Sequence, residues 1–393
     1  MGSSTRYLIS RLWTLAAALT AVAVGVAACG GNGTDTGGNN DNSKPSGLPA
    51  CGSSTLLTTS PVPIGGIREI APLGNLNPPG HTFPTDHIYL YFPQTPEGSE
   101  ATPVSSPGTI RMYSVALQKR LATSTLPEFD DYTMSFWVCT DVAMYFAHVT
   151  TLSPQFQTAI GADFPDCHPP YSTGGSSFQQ CYKNVDVTLN PGDPIGTAGG
   201  PGQGALDLGA SDDRVTLAFV DPGRTTGQGG VHAVCPLDYF TAEAQAQLDT
   251  LLAVNGNHRT VAPICGTVNQ DIAGTAQGRW FFDTTSTEDH HLALVHTNWD
   301  PTVGIFSIGT TLPGSSPGWF IFTPAQTGRV NLDFNLVTAD GMIYCYQQAP
   351  YPANIMHIQL ETPSRLRIQY NPRPLCGDPS TWTFDSTSVT YVR

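Results

Sequence analysis

The segment Gly80-His81-Thr82-Phe83-Pro84-Thr85-Asp86-His87 gathers two imidazoles and a carboxylate within seven residues. Side chains so close in sequence converge only where the chain bends, and Pro79-Gly80 and Pro84 supply bends. Zn²⁺ takes borderline nitrogen and hard oxygen donors, so His81 and Asp86, with His87 as a substitute or supplement, form a candidate ligand set. The plainer alternative is a chance meeting of surface His and Asp. His148 in Tyr145-Phe146-Ala147-His148-Val149 is a second candidate. Strict alternation puts Tyr145 with Ala147 on one face and Phe146 with His148 on the other. A hydrogen-bonded histidine at a core edge would look the same. Asp207 lies between Leu206 and Leu208. A lone acid there is costly to bury, so it needs solvent, a metal, a backbone network or Arg214. Asp289-His290-His291 and His296 also suggest ligands, but His290 and His291 would point to opposite faces of a strand.

The chain that must position these groups has 393 residues, room for about two domains of roughly 150 residues each. Only 12% of residues are charged, so the surface must be covered mainly by Ser, Thr, Asn, Gln and Gly, as in an exported β-protein. Lys and Arg number 17 against 31 Asp and Glu, a net charge of -14 with no basic cluster. That balance excludes nucleic acid as a partner.

Arg6 and Arg11 precede an apolar run from Leu15 to Ala28, the pattern of a signal peptide. Its end, Val26-Ala27-Ala28-Cys29, resembles the bacterial lipobox, which implies cleavage after residue 28 and lipidation of Cys29. Residues 29–50 are polar and Gly-rich and read as a flexible tether to the membrane. Eight cysteines remain, an even number in an exported chain, which predicts four disulfides. Connectivity is open. Proximity favours Cys167–Cys181, Cys235–Cys265 and Cys345–Cys376, leaving Cys51 for Cys139.

The body, 51–393, reads as short strands punctuated by Pro and Gly. Residues 87–92 alternate cleanly, and further strands are expected at 109–117, 132–138, 142–149, 185–189, 206–208 and 215–220. One helix is expected over 241–254, through Ala244, Leu248, Leu251 and Leu252, stopped by Asn255-Gly256. Nine β-segments then follow, including 329–336, which suggests a β-sandwich or jelly-roll-like domain over 266–393. Its Trp280, Phe281, Phe282, Trp299, Trp319 and Phe320 are core candidates, one or two of which could line a sugar-binding surface.

Taken together, residues 68–212 resemble the lysostaphin-like zinc endopeptidases and their duplicated-hybrid-motif β-fold. The resemblance rests on His81 and Asp86 before a strand, the Thr102–Ile110 hairpin, the Tyr145–Val149 strand and the Val187–Gly196 turn. It implies an all-β barrel or sandwich over 51–265 with the appended helix, and a site built on His81, Asp86 and Asp207, with His148 in a catalytic position. The departures are specific. His81 and Asp86 are five apart where the family has four, and Ala205-Leu206-Asp207 stands where it has His-x-His. An imidazole that assists catalysis is thus alanine, and the last ligand is aspartate. Two carboxylates would neutralise Zn²⁺ and weaken its acidification of bound water. The expectation is an exported cell-envelope lipoprotein whose peptidase-like domain binds or scaffolds peptidoglycan, other glycan or envelope protein without hydrolysis. A variant zinc endopeptidase and a purely structural surface protein are the alternatives.

Overall fold

A computed structural model describes residues 44–393, except 53–55, 97, 123–127, 174–175, 202, 226–228, 286 and 349–352. The signal peptide, Cys29 and most of the tether therefore lie outside the described residues. The described chain is mostly β, with two α-helices.

The large sheet of the first half is antiparallel. Its strands are β1 (Glu69–Ala71), β2 (His87–Tyr91), β3 (Ile110–Arg120), β4 (Phe129–Trp137), β5 (Val142–Leu152), β6 (Ser176–Leu189), β7 (Pro194–Ala198) and β8 (Ala205–Asp212). They run in the order β1-β2-β8-β5-β4-β3-β6, with Tyr171–Thr173 beyond β6. The sheet is open, not a closed barrel. β7 pairs with both β5 and Thr102–Ser105, which joins the expected hairpin and the Pro-Gly-Asp turn at one edge. The order matters for the site, because β2, β8, β5 and β4 are successive neighbours. Alternation sends Ile88, Leu90, Met144, Phe146, Leu206 and Leu208 into one core, which draws residues from Cys51 to Val268.

Several expectations need correction. Residues 215–220 are not a strand; they are irregular, with Leu217 N–H donating to the Val231 carbonyl. The helix is shorter than 241–254. It spans Ala242–Asp249, capped by Thr241, because the Leu251 carbonyl accepts from Ile70 N–H and Leu252 bridges to Ile70 at the edge of β1. Tertiary pairing here overrides a helical apolar pattern. Asn255 and Gly256, both at positive φ, do not end a helix but turn a tight hairpin between Ala253–Val254 and Asn257–His258. A helix at Pro154–Ile160 was not anticipated, although Ser153 caps it, Pro154 opens it and Gly161 closes it.

The second half forms two four-stranded antiparallel sheets. One contains β9 (Gly278–Trp280), β10 (Leu292–His296), β11 (Gly304–Ile308) and β12 (Gly318–Phe322). The other contains β13 (Tyr344–Gln347), β14 (Ile355–Thr362), β15 (Arg365–Asn371) and β16 (Val389–Val392). Both contribute to one apolar cluster in which Phe306, Phe322, Phe334 and Tyr346 meet edge to face or tilted. Residues 329–336 are not a strand. Asn331 sits at positive φ, the Arg329 guanidinium binds the Ile343 carbonyl, and the segment ends in a 3₁₀ turn at Phe334–Leu336. Of the aromatics named above, only Phe282 and Trp319 are exposed.

All eight body cysteines are paired, as Cys51–Cys139, Cys167–Cys181, Cys235–Cys265 and Cys345–Cys376. The first spans 88 residues and the second 14. Chain-entropy scaling gives roughly 4–5 kcal/mol for the first and about 3 kcal/mol for the second. Replacing Cys51 and Cys139 together by Ala should therefore lower the urea midpoint more than replacing Cys167 and Cys181. The reverse order would contradict the assignment of these bridges.

Candidate functional site

Asp207 is the centre of the site. It lies on β8 opposite Tyr89 of β2 and Ala147 of β5, and it is 4% exposed. Its Oδ2 is 3.4 Å from His87 Nε2 and 3.3 Å from His148 Nε2. Each imidazole is backed by another carboxylate. His87 Nδ1 is 3.0 Å from Asp86 Oδ1, and His148 Nδ1 is 2.7 Å from Asp131 Oδ2. His81 completes the group, its ring 5.5 Å from that of His87. The structure thus brings together His81, Asp86, His87, His148 and Asp207, from segments separated by more than a hundred residues.

Two local features aim these side chains. The first is a bulge in β5. Tyr132 pairs with Val149 but Met134 pairs with Phe146, so Ala147 and His148 together face Thr133. His148 takes φ 68°, the left-handed region that costs a non-glycine residue roughly 1–2 kcal/mol. The extra residue breaks the expected alternation. Phe146 and Val149 both enter the core, and His148 points to the side of Tyr145 instead of sharing a face with Phe146. The second is Gly209, where a Cβ would come within 2.1 Å of the Tyr145 ring. Only glycine lets that ring lie across β8, so that Tyr145 Oη donates to Asp86 Oδ1 at 3.0 Å.

Both oxygens of Asp86 are engaged within the protein. Its Oδ1 accepts from Tyr145 and faces His87, and its Oδ2 accepts from Gly229 N–H at 2.8 Å. Asp86 is thus the partner of His87. Ala205 packs with Ala71 and Tyr89 in a small apolar patch.

The electrostatics follow from this pairing. Burial opposes charge on every group, but the Asp131 and Asp207 carboxylates outweigh it at His148, whose pKa is held well above 6.5. Only an imidazolium can donate from both nitrogens, as its two carboxylate neighbours require. The His87 pKa is also raised, against burial, by Asp207 and Asp86. Asp86 and Asp207 are both lowered, against burial, by these histidines. His81 has no carboxylate in contact. Burial and the neighbouring His87 push its pKa down to about 4, so it is neutral at pH 7. Three buried atoms here remain without a hydrogen bond, His87 Nε2, Tyr89 Oη and Asp207 Oδ1. Among the described residues, no group of three or more His, Cys, Asp or Glu is placed to hold a metal ion.

The other candidate histidines are dispersed. His290 pairs with Asp283 at 2.7 Å, His296 with Asp333 at 3.1 Å, and His291 is buried against Phe83. Arg214 pairs with Asp212, not with Asp207.

Sequence reasoning missed Asp131, Gln203, Gly229 and Glu288. Gln203 Nε2 donates to Asp131 Oδ2 at 2.9 Å. Glu288 comes from the second half of the chain and accepts from Phe83 N–H at 3.1 Å. Phe83 itself packs between Phe281 and His291, at 5.1 and 5.5 Å between ring centres. The second half thus grips the loop that carries His81, Asp86 and His87. Lost solvation and the nearby Asp86 charge raise the Glu288 pKa from 4.5 to about 7.

Comparison with protein-family models, with curated proteins and with solved structures finds no match to the chain.

Two outcomes follow. Asp207→Asn removes the shared negative charge but leaves each imidazole its second carboxylate. The loss should sit at the low end for a broken buried pair, about 3 kcal/mol in denaturant unfolding, with a lowered His148 pKa by NMR. Glu288 binds its proton more tightly when folded, so its contribution is complete below pH 4.5 and is lost as pH rises to about 7. Melting temperatures of Glu288→Gln should accordingly fall less than those of the parent over that window. An unchanged slope would refute the assignment.

Proposed function

We propose that the chain is an exported, lipid-anchored protein of the bacterial cell envelope, whose first domain (51–265) is a non-hydrolytic relative of the lysostaphin-like endopeptidases. On this reading 1–28 is the signal peptide, Cys29 the lipidated residue, 29–50 the tether, and 266–393 a β-sandwich. The His–Asp cluster then holds the sheet together and shapes a binding face for envelope glycan or protein.

One observation carries the proposal. Asp207, which stands where the family has its last ligand, shares one oxygen between two imidazoles that are each paired with another carboxylate. Two imidazoles thus offset most of the charge of three carboxylates from within the protein. Ala205 among Ala71 and Tyr89 adds to it, because no imidazole remains there to stabilise a developing oxyanion. Four disulfides agree with an oxidising compartment.

A second reading, a variant zinc centre, has one observation in its favour: His87 Nε2 and Asp207 Oδ1 are buried and unpartnered. The ligands would then be His87, His148 and Asp207 rather than His81, Asp86 and Asp207, a two-imidazole, one-carboxylate donor set of the kind zinc accepts.

Membrane-extracted protein should show a lipidated Cys29 by intact mass. The same material should contain no stoichiometric zinc by elemental analysis and should leave peptidoglycan peptides uncut. Zinc-dependent cleavage abolished by Asp207→Ala would replace the proposal with the second reading, and an unmodified N-terminus elsewhere would remove the anchor.

A further inference from the structure

The second half of the chain carries an open cavity of about 350 Å³, far from the His–Asp cluster in sequence, lined by His357, Gln369, Asn371, Arg373, Thr383 and Asp385 among others. Its floor is the side of β14 and β15 turned away from the apolar cluster, where His357 and Gln369, both buried, sit directly opposite each other. Its wall is the segment after β15, held to the sheet by Cys345–Cys376 and braced within itself by Trp382, whose indole N–H donates to the Cys376 carbonyl at 2.7 Å. The wall is fixed by a covalent bridge and a buried hydrogen bond.

The hydrogen bonds along the floor contain one donor too many. Asp385 N–H donates to Gln369 Oε1 at 3.0 Å, which fixes the orientation of that amide. Gln369 Nε2 then donates to Asp385 Oδ2 at 2.9 Å and to Asn371 Oδ1 at 3.0 Å. Asn371 must therefore turn its Nδ2 toward His357 Nδ1, 3.5 Å away. On the other side of the same ring, Arg373 Nη2 lies 3.4 Å from His357 Nε2. A neutral imidazole has one lone pair, yet both ring nitrogens face donors. Burial and the Arg373 charge push the His357 pKa down to about 4, so the ring is neutral at pH 7. Flipping Asn371 only moves the conflict to Gln369, and changing the tautomer only moves it across the ring. The conflict ends at the open end of the chain, where His357 Nε2–H and the Arg373 guanidinium converge on the cavity. His357 is 1% exposed, and Arg373 makes no salt bridge among the described residues.

We propose that this cavity binds the carboxylate of a small, hydroxyl-bearing acid, with one carboxylate oxygen accepting from His357 Nε2–H and Arg373 Nη2. An oxygen acceptor there resolves the mismatch, and an arginine supplies the charge-assisted bond that such groups take. A monoanion is favoured over a phosphate because Asp385 lines the same cavity and the whole chain is acidic. The remaining lining, amide and hydroxyl from Gln369, Asn371 and Thr383, suits the hydroxyls of an acidic sugar. The inference does not depend on how the His–Asp cluster is read.

The test is histidine side-chain NMR of the full chain during titration with acetate, D-glucuronate and inorganic phosphate. The expected result is saturable movement of the His357 imidazole with acetate, tighter binding of glucuronate, and the weakest effect from phosphate. Arg373→Gln, an exposed position that leaves the sheet intact, should weaken glucuronate by about tenfold or more. His357 signals that do not respond to either carboxylate, or that respond equally in Arg373→Gln, would overturn the site. Phosphate binding tighter than either carboxylate would overturn the ligand class.

Discussion

A carboxylate with 4% exposure in the middle of a sheet is the constraint around which the first domain is arranged. Asp207 cannot keep its charge there without positive partners, because stripping water from an ion costs several kcal/mol even after relaxation. His87 and His148 supply that charge, but a buried imidazolium carries the same penalty. Asp86 and Asp131 therefore stand behind them, at 3.0 and 2.7 Å. These carboxylates are in turn held by Tyr145, Gly229 N–H and Gln203. The network is a chain of obligations that runs from one strand to the next, and the backbone accommodates it. The bulge at Ala147-His148 and the missing Cβ at Gly209 serve this cluster and contribute nothing visible to the apolar core behind the sheet.

The same logic explains why the two halves of the chain are joined at the His81–His87 loop. A loop bearing three titratable groups beside a buried cluster has little apolar surface of its own to hold it. Phe83 is the exception, and it is taken by Phe281 and His291 of the second half. Leu76 and Phe83 share an apolar cluster with Phe281, Ala293, Val295 and Ile305. Arg279 adds its guanidinium over Phe219, 3.8 Å from the ring centre, and 5.6 Å from that of Phe83. The joint is partly apolar and partly ionisable. Through Glu288 it places a proton-binding group on the backbone of the loop that also carries Asp86.

What the sequence disclosed and what it withheld divide along one physical line. Strand patterning located β2, β5 and β8, and cysteine proximity anticipated three of the four bridges, because both signals are local; Cys51–Cys139 followed only by elimination. His81, Asp86, His87, His148 and Asp207 were legible as reactive residue types on strands of one sheet. Their roles were not. Nothing around Asp86 in the sequence announces that Tyr145 and Gly229 hydrogen-bond it, and both come from distant segments. His148 looks like a neighbour of Phe146 until an extra residue in β5 rotates it, and nothing in Tyr-Phe-Ala-His-Val marks that bulge. Asn255-Gly256 carried a hairpin signal that the preceding leucines masked, since Leu251 and Leu252 keep helical spacing but spend their backbone groups on β1.

The comparison between the two polar clusters carries the reasoning one step further. Around Asp207 the buried atoms left over are His87 Nε2, Tyr89 Oη and Asp207 Oδ1, so both donors and an acceptor are present. A set of mixed sign can be answered by a small rearrangement or by water, and the cluster then closes on itself. Around His357 the surplus has a single sign. The one imidazole lone pair can accept from Asn371 Nδ2 or from Arg373 Nη2 but not from both, and no tautomer or amide flip removes the excess donor. A balanced network rigidifies a fold, whereas an unbalanced one at the rim of a cavity selects what enters it. Chemical recognition in this chain is therefore better sought on the second half, beside Arg373, than at the histidine-rich centre that the sequence advertises.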